Sequence, residues 1–309
     1  MSALIDVILP VFFVIGFGYG AHWLLKTPSE LFEQLMKFAQ GFAFPVLLFR
    51  GISHLHLGDT FDPMMLGAFY TGVTLSFIAG LLGARFLFHR PWPDSVAVAF
   101  ATSFSNGGLL GLPISERAYG TDALGYNFAI IAFHAPFVYM LSVTAMEILR
   151  AGGRSVGVTM LSVARTVATN PFVIGISLGA AANLSGLPIP AAVAAAVDLV
   201  ANAAIPAALF ALGGVLAAYR PEGDLKLVGW IVAVSLLMHP AIVWLLAQGS
   251  GLGLAPMRAA VLTAAMAPGI NAYVFASMYD TAKRTAATGV LAGTAVSIVT
   301  VWGWLWVLG

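Results

Sequence analysis

Ser105-Asn106-Gly107-Gly108-Leu109-Leu110-Gly111-Leu112-Pro113 is the stretch from which the fold of this chain is read. It lies inside an apolar run from Ser95 to Tyr119, long enough to cross a bilayer as a helix. Its three glycines and one proline interrupt that helix. Glycine loosens the backbone, and proline withholds an N–H and crowds the preceding turn. Unpaired backbone is costly in hydrocarbon, so such a break must face protein or a water-filled cavity. A second run, Met257 to Tyr279, is interrupted in the same way at Ala267-Pro268-Gly269-Ile270-Asn271-Ala272-Tyr273. Paired interruptions at corresponding places in two halves of a chain point to a transporter binding site.

The rest of the composition agrees with a membrane setting. Of 309 residues, 60% are hydrophobic and 9% charged, which excludes an ordinary soluble globule. The net charge of +1 and the lack of a basic face with interleaved aromatics give no sign of a nucleic-acid partner. Cysteine is absent, so disulfides and thiolate chemistry are excluded. The first apolar run lacks a basic leader and is read as a retained span. Hydropathy predicts ten spans, an all-α polytopic membrane protein: Leu4–Leu25, Leu35–Ile52, Met64–Phe88, Val96–Tyr119, Ala123–Leu149, Thr166–Asn183, Ala191–Tyr219, Leu225–Ala247, Met257–Tyr279 and Ala286–Leu308.

With these spans, Lys and Arg separate by side. Eleven (Lys26, Lys37, Arg85, Arg90, Arg150, Arg154, Arg165, Arg220, Lys226, Lys283, Arg284) fall on one side and three (Arg50, Arg117, Arg258) on the other. That asymmetry puts the first set in the cytoplasm and both termini outside. The longest cytoplasmic connection, Arg150 to Arg165, divides the chain into two five-span units, residues 1–150 and 160–309, within a single transporter. The units repeat. Phe44-Pro45-Val46-Leu47-Leu48-Phe49 corresponds to Ile205-Pro206-Ala207-Ala208-Leu209-Phe210, and the fourth-span break corresponds to the ninth-span break. Five is odd, so the second unit is inverted relative to the first, the arrangement that suits alternating access.

A broken helix supplies binding chemistry without charged side chains. Half-helices beginning near Pro113 and near Asn271 would each present free N–H groups and a positive dipole end, together an anion site suited to a carboxylate. Asn106 and Asn271 are candidate donors to that carboxylate, with Ser105, Ser103 and Tyr273 beside them; Gly107, Gly108, Pro268 and Gly269 shape the breaks. The plain alternative is that these side chains only satisfy the interrupted backbone. Pro45 and Pro206 lie mid-span and are read as kinks beside the crossing. Arg50, five residues beyond Pro45, either holds an anion or snorkels to the outer interface. Asp198 and Asn202 share a helix face and could bind a coupling sodium ion or proton; His134 and His239, each near a proline, are further coupling candidates. His54, His56, Asp59 and Asp62 read as a polar outer loop and not as a metal site. No hydrolytic triad, zinc spacing or redox motif is present, so neither enzyme activity nor a cofactor is expected. Gly175, Gly179, Ala182 and Gly186 read as small-residue helix contacts.

Taken together, Phe42-Ala43-Phe44-Pro45-Val46-Leu47-Leu48-Phe49, the stretch Ser105 to Pro113, Asn170-Pro171, and Pro268-Gly269-Ile270-Asn271-Ala272-Tyr273-Val274 resemble the auxin efflux carrier family over the whole chain. The family includes plant auxin exporters and bacterial carriers of malonate or malate type. The resemblance implies the ten-helix crossover fold shared with bile acid symporters and sodium/proton antiporters. In that fold helices 4 and 9 cross at their breaks, and a scaffold moves against the crossover. It implies that the second span lines the pathway, which makes Leu48 and Arg50 wall candidates, and it is compatible with a homodimer. The long central loop of many plant members is missing, so the chain resembles the short prokaryotic form, expected in the inner (plasma) membrane. The expected function is a secondary carrier of a small organic anion. A sodium- or proton-coupled exchanger with Asp198 as its coupling residue, and a membrane receptor without transport, remain the alternatives.

Overall fold

The computed structural model describes residues 2–54, 60–149, 168–186, 188–218 and 224–309. His56, Asp59, the connection Arg150 to Arg165, the start of the sixth predicted span at Thr166, and Arg220 lie outside the described residues. Within them the architecture is helical: α1 Ser2–Leu24, α2 Ser29–Ser53, α3 Pro63–Leu87, α4a Trp92–Ser103, α4b Leu112–Tyr119, α5 Leu124–Leu149, α6 Pro171–Ser185, α7 Ala191–Ala218, α8 Leu225–Gly249, α9a Leu254–Ala264, α9b Asn271–Met278 and α10 Lys283–Leu308. Seven of these, α1, α2, α3, α5, α7, α8 and α10, are long and apolar enough to cross a membrane. The chain is thus a polytopic membrane protein.

Two expected boundaries move. The second helix begins at Ser29, not Leu35, because Ser29–Phe38 is amphipathic and continues unbroken into the apolar part. The sixth described helix begins at Pro171, where the Asn170 side chain caps the Phe172 N–H at 2.9 Å and proline suits the first turn.

Two prolines inside helices, Pro45 and Pro240, are accommodated by a local change of pitch, whereas Pro10, Pro136 and Pro206 sit within uninterrupted α-helix. Just before Pro45 and Pro240 the chain widens into π-helical turns, Ala39–Ala43 and Val234–Met238. Each wide turn absorbs the missing N–H and the ring's clash with the preceding carbonyl, so the helix carries on. Asp62, in a loop as expected, also caps α3 by accepting from the Met64 and Met65 N–H groups at 2.8 and 3.1 Å.

Helices α1, α2, α6 and α7 pack on one another as one body; α3, both halves of α4, α5, α8, both halves of α9, and α10 form the other. Small residues bring the first body together. A Cβ on Gly213 would lie 1.9 Å from the Ile15 carbonyl oxygen, so α1 and α7 touch backbone to backbone. Gly175 and Gly179 do the same for α6 against the carbonyls of Pro45 and Phe49 on α2. Gly186 differs from the expected helix contact: it ends α6 in the left-handed conformation, φ 63°, as a C-terminal cap.

Candidate functional site

Helix α4a stops at Ser103 and α9a at Ala264, and the segments that follow run antiparallel past each other. The Asn106 N–H donates to the Ala267 carbonyl at 2.9 Å, and the Gly269 N–H donates to the Phe104 carbonyl at 3.0 Å. Ser105 and Pro268 therefore face each other as the non-hydrogen-bonded pair of a miniature antiparallel ladder. At that position Pro268 has no ladder donor to lose, which is why proline fits the break. The Ser105 N–H points away from the ladder and donates to His134 Nε2 on α5 at 3.1 Å. The interrupted backbone thus finds its partners in the other break and in one histidine.

Beyond the ladder each break restarts a helix. One restarts at Gly107, through the wide turn Gly107–Gly111 into α4b, with Asn106 as its N-cap accepting from the Leu109 N–H at 3.3 Å. This start lies six residues before Pro113, where the sequence had suggested it. The cause is that a wide turn, like the one before Pro45, carries the helix up to the proline. Pro113 itself is buried within α4b. The other half-helix, α9b, starts at Asn271 as expected.

Both starts open into one cavity of about 420 Å³. Ser105, Asn106, Gly107, Gly108 and Asn271 line it, together with His134 and Tyr139 of α5, Lys37 and Gln40 of α2, and Asn170 and Phe172 at the start of α6. Asn106 is 6% exposed and its amide Nδ2 has no hydrogen-bond partner among the described residues. His134 is 4% exposed, and its Nδ1 likewise has none. The Asn271 amide oxygen accepts from the Tyr139 hydroxyl at 3.4 Å. Most N–H groups of the two restarts are engaged within the breaks, those of Leu109, Leu110 and Gly111 by Asn106 and those of Ala272, Tyr273 and Val274 by Gly269 and Ile270, so the restarts contribute chiefly the positive ends of two helix dipoles.

The other candidates lie elsewhere. Pro268 and Gly269 form the ladder and do not line this cavity; Tyr273 is half-buried on α9b, and Leu48 and Pro45 face the packing of α2. Arg50 and Asn202 line a second cavity of about 560 Å³, which also touches Leu112 and Glu116 of α4b, Phe128 of α5 and Pro206 of α7. There Arg50 Nη1 donates to Asp198 Oδ1 at 3.2 Å and to Asn202 Oδ1 at 2.8 Å, so Arg50 and the Asp198–Asn202 pair, read separately from the sequence, form one cluster joining α2 to α7. His239 is buried behind the break, with its Nδ1 3.4 Å from the Ser105 hydroxyl, and does not line the first cavity.

Sequence reasoning passed over Lys37, Gln40, Tyr139 and Asn170. Two signals existed: Lys37 lies on the polar face of an amphipathic helix start, and Asn170 precedes a proline as a helix cap.

A buried polar network braces the crossing. Asn127 Nδ2 of α5 donates to Ser115 Oγ of α4b at 3.1 Å and to Thr263 Oγ1 of α9a at 2.9 Å. Thr263→Val keeps the shape and removes one acceptor, so it should cost about 1–3 kcal/mol of stability. A thermal melt of the purified protein, unchanged from wild type, would contradict that bracing role.

The comparisons with known proteins agree with a transporter. The sequence profile of a family described as membrane transport protein matches residues 3–305. The chain is 27% identical over 314 residues to a Rhizobium meliloti (strain 1021) protein named "Putative malonate transporter", covering 100% of this chain and 97% of that one. It is 24% identical over 312 residues to the "Uncharacterized transporter YfdV" of Escherichia coli (strain K12), covering 97% and 96%. Matched from its third residue to within five of its end, this chain belongs to the membrane transport protein family, that of the auxin efflux carriers.

Proposed function

We propose that the chain is a secondary carrier of a small carboxylate, bound where the two broken helices restart. The observation that carries this reading is the Asn106 amide: its Nδ2 is buried and unpartnered among the described residues, and Asn106 lines the cavity shared by both half-helix starts. A buried donor without a partner is costly unless a ligand or water supplies an acceptor. Two helix N-termini select a negative ligand. Asn271, Gly107 and Gly108 complete the receiving surface, and Lys37 contributes a cation at its edge. The malonate named for the Rhizobium relative fits this chemistry and is the first substrate to try.

In this reading ten helices cross the membrane as two inverted five-helix repeats, residues 1–150 and 160–309, with both termini outside a prokaryotic plasma membrane. The cavity bounded by Lys37 faces the cytoplasm, and the cavity bounded by Arg50 and Glu116 faces outward. Along α2, Lys37 and Arg50 are thirteen residues, about 20 Å, apart, so the two cavities flank the crossing. Movement of the body α1, α2, α6 and α7 against the other would expose the crossing to one side at a time. Asp198 and Asn202 then hold Arg50 between α2 and α7.

The test is uptake of radiolabelled malonate, malate and an indole carboxylate into proteoliposomes under imposed sodium, proton or voltage gradients. Saturable uptake of one acid, accelerated by one gradient, is expected. No uptake of any acid by correctly inserted, folded protein would overturn the carboxylate reading in favour of a neutral or cationic substrate, or of a receptor that only binds.

A further inference from the structure

We infer that His134 is a second ligand of the bound carboxylate, acting as a neutral Nδ1–H donor, and that the site therefore takes an ionised carboxylate and rejects groups that must themselves donate, such as an amide, a protonated acid or an ammonium. This rests on the anion-carrier reading and deepens it.

Acceptors and donors in the cavity are sorted. The asparagine, histidine and break-carbonyl acceptors already have partners inside the protein. Asn106 Oδ1 accepts from the Leu109 N–H, Asn271 Oδ1 from the Tyr139 hydroxyl, Asn170 Oδ1 from the Phe172 N–H, and His134 Nε2 from the Ser105 N–H. The carbonyls of Phe104, Ser105 and Asn106 are likewise engaged, by the N–H groups of Gly269, of Gly107, and of Leu110 and Gly111. Two strongly buried polar nitrogens remain, Asn106 Nδ2 and His134 Nδ1, neither with a partner among the described residues. Gln40, half-buried on α2, is the one lining amide outside this sorting.

The tautomer of His134 follows from its contact. A ring nitrogen that accepts from a backbone N–H carries no proton, so the single proton of the neutral ring is on Nδ1. A doubly protonated ring would set one donor against another at Nε2. In this arrangement His134 is a fixed donor, a different role from the proton carrier its place in a span suggested. The Ser105 N–H that sets the tautomer is available only because Ser105 and Pro268 form the non-hydrogen-bonded pair of the crossing. Ser105 also links the two donors along the chain, since it contacts His134 and directly precedes Asn106. A carboxylate presents acceptors to both. An amide in its place offers one acceptor and sets its own N–H groups against them.

The experiment is equilibrium binding of radiolabelled malonate to the purified full-length chain in nanodiscs, with malonamide as competitor, for wild type, His134→Asn and His134→Gln. Asparagine places an amide N–H near the Nδ1 position; glutamine reaches only the Nε2 position. Wild type should prefer malonate over malonamide by about 100-fold. His134→Asn should hold malonate within about threefold of wild type, while His134→Gln should lose about tenfold for malonate and little for malonamide, narrowing the preference. Wild-type malonate affinity in His134→Gln overturns the inference alone. Equal loss of both ligands in both variants assigns His134 a structural role and also overturns it. Failure of malonate, malate and an indole carboxylate all to bind wild type overturns the anion reading itself, and this inference with it.

Discussion

Asn106→Ala is expected to weaken binding of the transported carboxylate by roughly 10–100-fold while leaving the protein folded. A hydrogen bond to a charged group is worth about 1.5–3 kcal/mol, which corresponds to that range. The fold should survive because the ladder is a backbone structure: the bond from residue 106 to the Ala267 carbonyl uses the main-chain N–H and is indifferent to the side chain. Alanine loses the cap on the Leu109 N–H, a cost of about 1 kcal/mol. It also removes a buried amide nitrogen without a partner, which offsets part of that cost. The measurements are the dissociation constant and the thermal midpoint of the same preparation. An unchanged dissociation constant would take Asn106 out of the site. A collapsed midpoint would make it a structural residue.

Gly213→Val should have the largest effect on folding. Its new Cβ would lie 1.9 Å from the Ile15 carbonyl oxygen and 2.8 Å from the Tyr19 nitrogen, both backbone atoms. Gly18, across the same crossing, meets the Phe210 carbonyl oxygen at 1.9 Å. No rotamer relieves a backbone clash, so α1 must move off α7. That movement uncovers Ile8, Val11 and Ile15, all buried in the core. The cost should exceed about 3 kcal/mol, the upper end of ordinary overpacking. Gly16→Val is the control: it lies on the partner helix α1, with nothing within 4 Å of its Cβ. Loss of monodisperse protein for Gly213→Val and wild-type yield for Gly16→Val are expected. Equal behaviour of the two would remove the claim that α1 and α7 need contact between backbones.

The helices were legible because hydrophobic runs and proline positions act locally. So were the two interruptions, since glycine and proline disturb a helix wherever it packs. Where the second half of α4 restarts was misplaced by six residues. Local rules see Pro113 as a helix start, but the wide turn Gly107–Gly111 had already begun the helix under the cap of Asn106. Arg50 and the Asp198–Asn202 pair looked like separate functional candidates. They form one cluster because α2 and α7 are neighbours in space, although Arg50 and Asp198 are 148 residues apart in sequence. As an exposed ion pair that cluster adds at most about 1 kcal/mol of stability.

The sequence alone determined the class of the protein, a helical membrane transporter, and the two places where its helices break. Both follow from properties each residue carries with it: apolar transfer energy, a missing Cβ, a missing N–H. Only the tertiary structure decided how the two breaks meet residue by residue, with Ser105 facing Pro268, and which polar atoms of the break are already engaged. Hydrogen bonds between segments 160 residues apart depend on the relative placement of whole helices, and no local preference encodes that placement. His134 shows the difference. In sequence it is a histidine near a proline in an apolar span; in space, its Nε2 accepts the Ser105 N–H that the crossing leaves free of the ladder.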